Sequence, residues 1–273
     1  MVRAWLAAWI VLITLGFSHA ADNAALLRSD QRWEDARKTL AQGKAAEARA
    51  AFENLLQEYP NEADLHLFLA MSLLRQREPH AAVVSIQRAI ALDPHHSEAR
   101  TLLGYVELEV RGDADAAIRE YKKVIEMRPD LPQAYSNLAA AQKKKGELEE
   151  AIASLDQALA QNPAYAAALT MRGGIHAERN RWAEARRDFE AALKLDADDD
   201  GALYGLSQAL REARDYAGAQ QALSRLISRS PNFVYWLEWG RIGLIRFWWV
   251  LLMLAIALTL KGRFKKARTK ANG

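Results

Sequence analysis

The sequence predicts an all-α chain, a solenoid of about six stacked helical hairpins followed by one C-terminal transmembrane helix. Three observations carry that reading. Proline returns at near-fixed intervals, at Pro60, Pro94, Pro129, Pro163 and Pro231. Alanine and a large apolar residue recur at fixed offsets before each of these slots. A tryptophan-rich apolar run near the C-terminus leads directly into a cluster of cations. Only 14 glycines and 7 prolines occur in 273 residues, a composition that suits helices and suits sheets poorly.

The chain opens Met1-Val2-Arg3, with an apolar run from Ala4 to Phe17 and then Ser18-His19-Ala20-Ala21. An early positive charge, a short hydrophobic stretch and small residues at −3 and −1 of a cut after Ala20 predict a secretory signal peptide over 1–20. The run is shorter than the roughly 20 residues a bilayer span needs.

Residues 21–231 carry the repeat. Pro60, Pro94, Pro129 and Pro163 are spaced 34, 35 and 34, and a further 68 residues lead to Pro231, with Ala197 in the slot between. Repeats therefore end near 60, 94, 129, 163, 197 and 231. Twelve residues before each slot stands alanine: Ala48, Ala82, Ala117, Ala151, Ala185 and Ala219. Eight before it stands a large apolar residue: Phe52, Ile86, Tyr121, Leu155, Phe189 and Leu223. A small residue lets two helices approach closely, and a large one a turn later fills the groove beside it. Proline stops the second helix, because it cannot donate to the preceding turn and disfavours helical geometry just before it. Gly43 and Gly146 suit left-handed turns between the two helices. Arg111-Gly112-Asp113 is expected to hold, in its turn, the extra residue of the 35-residue unit.

From about Asp30 to Pro231 this pattern resembles the tetratricopeptide repeat family. Helix A of the units shows the family's large-x-x-Leu-small pattern in part, as Leu103-Gly104, Tyr135-x-x-Leu138-Ala139 and Leu203-x-x-Leu206-Ser207. The first unit departs most, with Ala36 in the small position and no leucine before it; a terminal unit, one face of which is a cap, is expected to be atypical. The resemblance implies a right-handed α-solenoid whose concave face, lined by the A helices, holds a peptide or protein partner. Its groove positions fall on Trp33, Arg37, Tyr105, Ser136, Thr170, Tyr204, Gln208 and Arg211. Family members that grip acidic C-termini of cytosolic chaperones use a clamp of Lys, Asn and Arg. Here those places hold Trp33 and Arg37, then Phe68, then Glu98 and Leu102, and only Asn137 echoes the clamp.

After Pro231 a capping or interfacial helix is expected over 232–241, a transmembrane helix over 242–260 and a basic cytoplasmic tail over 261–273. The uncharged run is only Phe247 to Leu260; reaching back to Ile242 encloses Arg246, which is expected to snorkel to the headgroups. Trp236, Trp239, Trp248 and Trp249 gather at that end, where an aromatic belt belongs. The cations after Leu260 place the C-terminus in the cytoplasm by the positive-inside rule. The expected location is the bacterial inner membrane, single-pass, with the hairpins periplasmic.

Charge and composition narrow the chemistry. From Ala21 to Pro231 there are 28 basic and 33 acidic residues, and after Pro231 eight basic residues and Glu238 alone. The pI near 9.0 thus reports the tail, and no nucleic-acid partner is expected. The absence of cysteine excludes disulfides, thiolate metal sites and thiol nucleophiles. Asp196-Ala-Asp198-Asp-Asp200-Gly201 imitates half a calcium loop, but Ser207 stands where its final glutamate belongs, so helix capping is expected instead. His95-His96 is expected in a solvated turn, and Lys143-Lys144-Lys145 at a helix end. No catalytic residue, metal or cofactor is expected, and the chain is read as no enzyme. Ala151→Leu is expected to overpack a helix crossing, and a swap at an exposed Lys144 to change little. The expected function is a scaffold for assembly or stability of an envelope complex. Similar architectures serve oxidative-stress complexes, cytochrome maturation and polysaccharide export. The alternative is a periplasmic carbohydrate or polysaccharide-export module, suggested by the aromatics Trp33, Tyr105 and Tyr204.

Overall fold

The computed structural model describes residues 27–28 and 30–271, so the signal peptide expected over 1–20 lies outside the described residues. Every element assigned among them is helical. In chain order these are α1 (Gln31–Ala41), α2 (Ala45–Glu58), α3 (Ala63–Arg75), α4 (Pro79–Leu92), α5 (Ser97–Tyr105), a π-helical turn (Val106–Arg111), α6 (Ala114–Met127) and α7 (Pro132–Lys145). They continue with α8 (Leu148–Gln161), α9 (Ala166–Glu178), α10 (Trp182–Leu195), α11 (Asp200–Glu212), α12 (Tyr216–Arg229) and α13 (Phe233–Ala271). The chain divides into two compact units, Met1–Glu147 and Leu148–Gly273.

Each A helix hands over to its B helix through one left-handed residue, always two positions before the B helix starts. These residues are Gly43, Arg77, Gly112, Gly146, Asn180 and Arg214, with φ between 59 and 90°. Three are glycines; the other three carry a Cβ in a region that L-residues avoid. Aspartate caps several helix starts: Asp113 accepts from the Ala116 amide at 2.8 Å, Asp199 from Ala202 at 3.0 Å and Asp215 from Gly218 at 2.9 Å.

The 35-residue unit corrects one expectation. The turn at Gly112 is no longer than the others. The added residue sits inside the A helix, where Val106–Arg111 winds as a π-turn. A single-residue insertion in a helix is absorbed this way because widening one turn keeps both flanking faces in register. The nearby Leu108 carbonyl accepts from Lys144 Nζ of α7 at 2.7 Å. Lys144, expected to be dispensable, therefore ties one hairpin to the next.

In unit 1 the crossing alanines Ala48, Ala82 and Ala117 are fully buried, as are Phe52 and Ile86, with Tyr121 nearly so. Gly104 on α5 is the counterpart of Tyr121: a Cβ there would lie 2.6 Å from its ring. No hairpin closes its own core. The first needs Leu65 of α3, which packs with Trp33, Ala36, Leu40, Phe52 and Leu55. His66, Arg100 and Tyr135, each six residues after a slot proline, bond the carbonyls of Pro60, Pro94 and Pro129 at 2.9–3.1 Å. Each proline's own carbonyl, lying beyond the end of the B helix, is thus held by the next A helix.

Unit 2 repeats the scheme. Ala151, Ala185, Ala219 and Leu155 are fully buried, and Phe189 and Leu223 nearly so. The Phe189 ring is held between two glycines, Gly173 of α9 and Gly205 of α11, where added Cβ atoms would collide with it. Arg172 of α9 forks between Asp156 of α8 at 2.6 Å and Asp188 of α10 at 2.7 and 2.8 Å. The last hairpin is closed by α13: Ile242 is 1% exposed and packs with Leu203, Leu210, Leu223 and Leu226.

Candidate partner-binding grooves

Unit 1 holds a cavity of about 1390 Å³ lined from α1, α3, α5 and α7 and the loops before them. Trp33, Arg37 and Tyr105 reach it, as three of the groove positions the family likeness supplied. Trp33 is not the exposed aromatic that a sugar platform would need. It is 4% exposed and packs edge-on to Phe68 at 5.0 Å and Phe52 at 5.9 Å. The Arg37 guanidinium lies over the Trp33 and Phe68 rings at 5.6 and 5.5 Å and pairs with Glu34 at 2.8 Å. Tyr105, half exposed, precedes the π-turn, whose wider pitch resets the face that follows it. Ser136 is buried, and its neighbour Asn137 lines the cavity instead.

Sequence reasoning missed the polar wall of this groove. His96 is buried, not solvated: its Nε2 meets Asp64 at 3.2 Å and its Nδ1 meets Glu98 at 3.2 Å. His95 alone is exposed. The hydrogen bond that His96 donates to Asp64 raises the His96 pKa, and the same bond holds the Asp64 carboxyl below its ordinary value. Glu62 goes the other way, raised by burial and then by repulsion from Asp64. The only trace in the sequence was that Asp64 and His96 stand 32 residues apart, close to one repeat. Among the described residues no cluster of histidine and carboxylate side chains suits a metal ion.

Unit 2 has a smaller cavity, about 450 Å³, lined by Thr170, Gly174, Trp182, Tyr204 and Gln208 among others. Thr170, Tyr204 and Gln208 are groove positions from the sequence. Thr170 donates to Asp199 at 2.6 Å, and Tyr204 packs against Tyr235 of α13 at 5.4 Å. Arg211 does not line it; it pairs with Glu212 at 3.0 Å and Glu238 at 3.3 Å. The acidic stretch 196–201 is spent internally: Asp199 caps α11, Asp198 pairs with Arg229, and Asp200 accepts from Ser230 at 2.6 Å.

The root of α13 is fastened to α12. Gln220 donates to the Trp239 carbonyl at 3.3 Å, and Trp239 Nε1 donates to Ser224 at 3.0 Å. Arg246, expected to snorkel, donates to Gln220 Oε1 at 3.1 Å. Beyond it, Phe247, Trp248, Trp249, Met253, Leu254 and Leu258 are all exposed. No single helix among the described residues is long and apolar enough to cross a membrane; Phe233–Val250 and Leu252–Lys261, bent by 40°, meet that test only together.

Hairpins of this register, small residues at each crossing and grooves floored by A helices agree with the comparisons. Tetratricopeptide-repeat profiles match residues 39–104 and 176–237, 136–200, and 111–146. The chain is a tetratricopeptide-repeat protein. Among solved structures it resembles PilW, a "widely conserved type IV pilus biogenesis factor", with a TM-score of 0.68 at 16% identity over 76% of this chain and 97% of that one. Among curated proteins it is 26% identical over 167 residues to a DnaJ homolog subfamily C member 7 homolog of Schizosaccharomyces pombe, 56% of this chain and 35% of that protein. It is also 26% identical over 210 residues to cellulose synthase operon protein C of Xanthomonas axonopodis pv. citri, 74% of this chain and 14% of that protein. The tetratricopeptide chain thus spans about a third or less of the length of such relatives, and the common part is the repeat array.

Proposed function

We propose that this tetratricopeptide protein is a membrane-anchored scaffold, its hairpins on the periplasmic side of a bacterial inner membrane, that holds a protein partner in the A-helix grooves and supports assembly or stability of an envelope complex. The observation that carries the reading is the uncovered apolar stretch of α13. From Phe247 to Leu260 it is uncharged, its described side chains are exposed, and its root is bolted to the last hairpin. Water does not solvate such a surface favourably, and a bilayer or a partner's apolar helix covers it. That stretch is about 21 Å of helix against a hydrocarbon core of about 30 Å, so local thinning, snorkelling or the neighbouring tryptophans must make up the rest. The likeness to a pilus biogenesis factor agrees with an envelope assembly role.

The test is topology together with capture. A tag inserted at the exposed Gly43 turn should be reachable by an impermeant reagent in intact cells, and a C-terminal tag should not. A photo-crosslinking residue in place of Tyr105 should join a protein partner in native membranes. Outward access of the C-terminal tag would overturn the anchoring, and absence of any adduct at both Tyr105 and Tyr204 would overturn the scaffold. A polysaccharide-export role has one specific support, the likeness to cellulose synthase operon protein C; glycan binding lost on Tyr204→Ala would favour it.

A further inference from the structure

We infer that the unit 1 groove selects a cationic protein segment, one that presents lysine or arginine beside an apolar or aromatic side chain. This rests on the scaffold reading and specifies the partner's chemistry. Five carboxylates face the cavity, from Glu34, Glu62, Asp64, Asp93 and Glu98, against the guanidinium groups of Arg28 and Arg37. The two arginines answer only two of them. Arg37 is stacked on Trp33 and Phe68 and occupied by Glu34, while Arg28 is largely solvated and only 3.9 Å from Asp64. His96 engages Asp64 and Glu98 from the wall. Glu62 is left half-buried at the start of α3, with no side-chain hydrogen bond to its helix and Asp64 beside it.

A half-buried carboxylate crowded by another is a place where an incoming cation gains more than it would at a solvated surface. The floor supplies the apolar half of the match. Phe68, Met71, Leu102 and the exposed Tyr105 line the same cavity, and an aromatic or aliphatic anchor beside a lysine would cover them while its ammonium reaches Glu62. The unit 2 groove offers no such field, since Glu178 is the sole carboxylate among its lining residues. The segment is therefore expected at unit 1 specifically. An acidic tail of the kind gripped by a carboxylate clamp is excluded on charge.

The experiment uses the full chain in a non-ionic detergent and two fluorescent decapeptides, one alternating lysine with tyrosine and leucine, the other with glutamate in place of lysine. The lysine peptide should bind, weaken about tenfold or more as salt rises from 50 to 300 mM, and weaken about tenfold on Glu62→Gln or Glu34→Gln. Glu62→Lys should weaken the lysine peptide further than Glu62→Gln does. The corresponding change Glu178→Gln in unit 2 should leave binding within about twofold. Equal binding of both peptides, preferential binding of the glutamate peptide, or no binding of either would overturn the cationic assignment. A Tyr105 crosslink to a partner in membranes would still uphold the groove in each of those cases, so the two readings fail separately.

Discussion

Gly205→Ala isolates the packing rule on which the repeats depend. Gly205 lies on α11 facing the Phe189 ring of α10, and a methyl group there would stand 2.6 Å from both Cε atoms, about 1 Å inside normal carbon contact. The ring cannot retreat freely, because Gly173 flanks it on α9, where a Cβ would meet Cε1 at 2.9 Å. Overpacking of this kind costs roughly 1–3 kcal/mol, and the site belongs near the top of that range. Alanine's better helix propensity returns about 1 kcal/mol, leaving a net loss of about 2 kcal/mol. The assay is thermal unfolding of the full chain followed by circular dichroism, where that loss lowers Tm by about 4–8 °C. Gly173→Ala should lose less. Its neighbour Gly174 has nothing within 4 Å of an added Cβ, so Gly174→Ala should gain about 0.5–1 kcal/mol. Adding Phe189→Leu should rescue Gly205→Ala relative to additivity by at least 1 kcal/mol. Equal stability of Gly173→Ala and Gly174→Ala, or a Gly205→Ala protein no weaker than the parent, would refute the reasoning.

Other substitutions follow from the same geometry. Arg77→Gly and Arg214→Gly should each stabilise by about 1 kcal/mol in chemical denaturation, because φ of 63 and 61° strains an L-residue. Lys144→Met should cost about 1 kcal/mol, since it removes the donor to the Leu108 carbonyl; no loss would mean that water replaces it without penalty. For His96 the folded pKa is raised. Its stabilisation is therefore fully present below about pH 6.5 and lost as pH climbs through the raised value. Asp64, lowered in the fold, contributes above about pH 3.8 and loses its part as pH falls through its depressed value. His96→Gln should thus flatten the decline in stability as pH climbs from about 6.5 through the raised value, measured from denaturant midpoints.

How much of this was legible beforehand differs between elements. The hairpins were readable because their determinant is short-range: an alanine where two helices cross must be small whatever else surrounds it. Ala48, Ala82, Ala117, Ala151, Ala185 and Ala219 are all fully buried for that reason. Of the groove positions that the family likeness supplied, Trp33, Arg37, Tyr105, Thr170, Tyr204 and Gln208 line cavities, whereas Ser136 and Arg211 do not. The polar wall of the unit 1 groove was not legible. Asp64 lies on α3, whereas His96 stands at the start of α5 and Glu98 in its first turn, and the Asp64–His96 pairing depends on how one hairpin is rotated on the next, a fraction of a turn that residue spacing does not specify.

By itself the sequence determined a helical repeat, its period, the closest crossings and an apolar run near the C-terminus, since each is a pattern of side-chain size or polarity along one chain. Tertiary structure alone decided three things. The extra residue of the third unit went into a π-turn because the fixed turn at Gly112 left it no room there. Arg77, Asn180 and Arg214 were forced into left-handed geometry because the hairpin needs that reversal whichever residue occupies it. Arg246 and Ile242 were drawn onto α12, since an open last hairpin buries its apolar stripe only against whatever chain follows it.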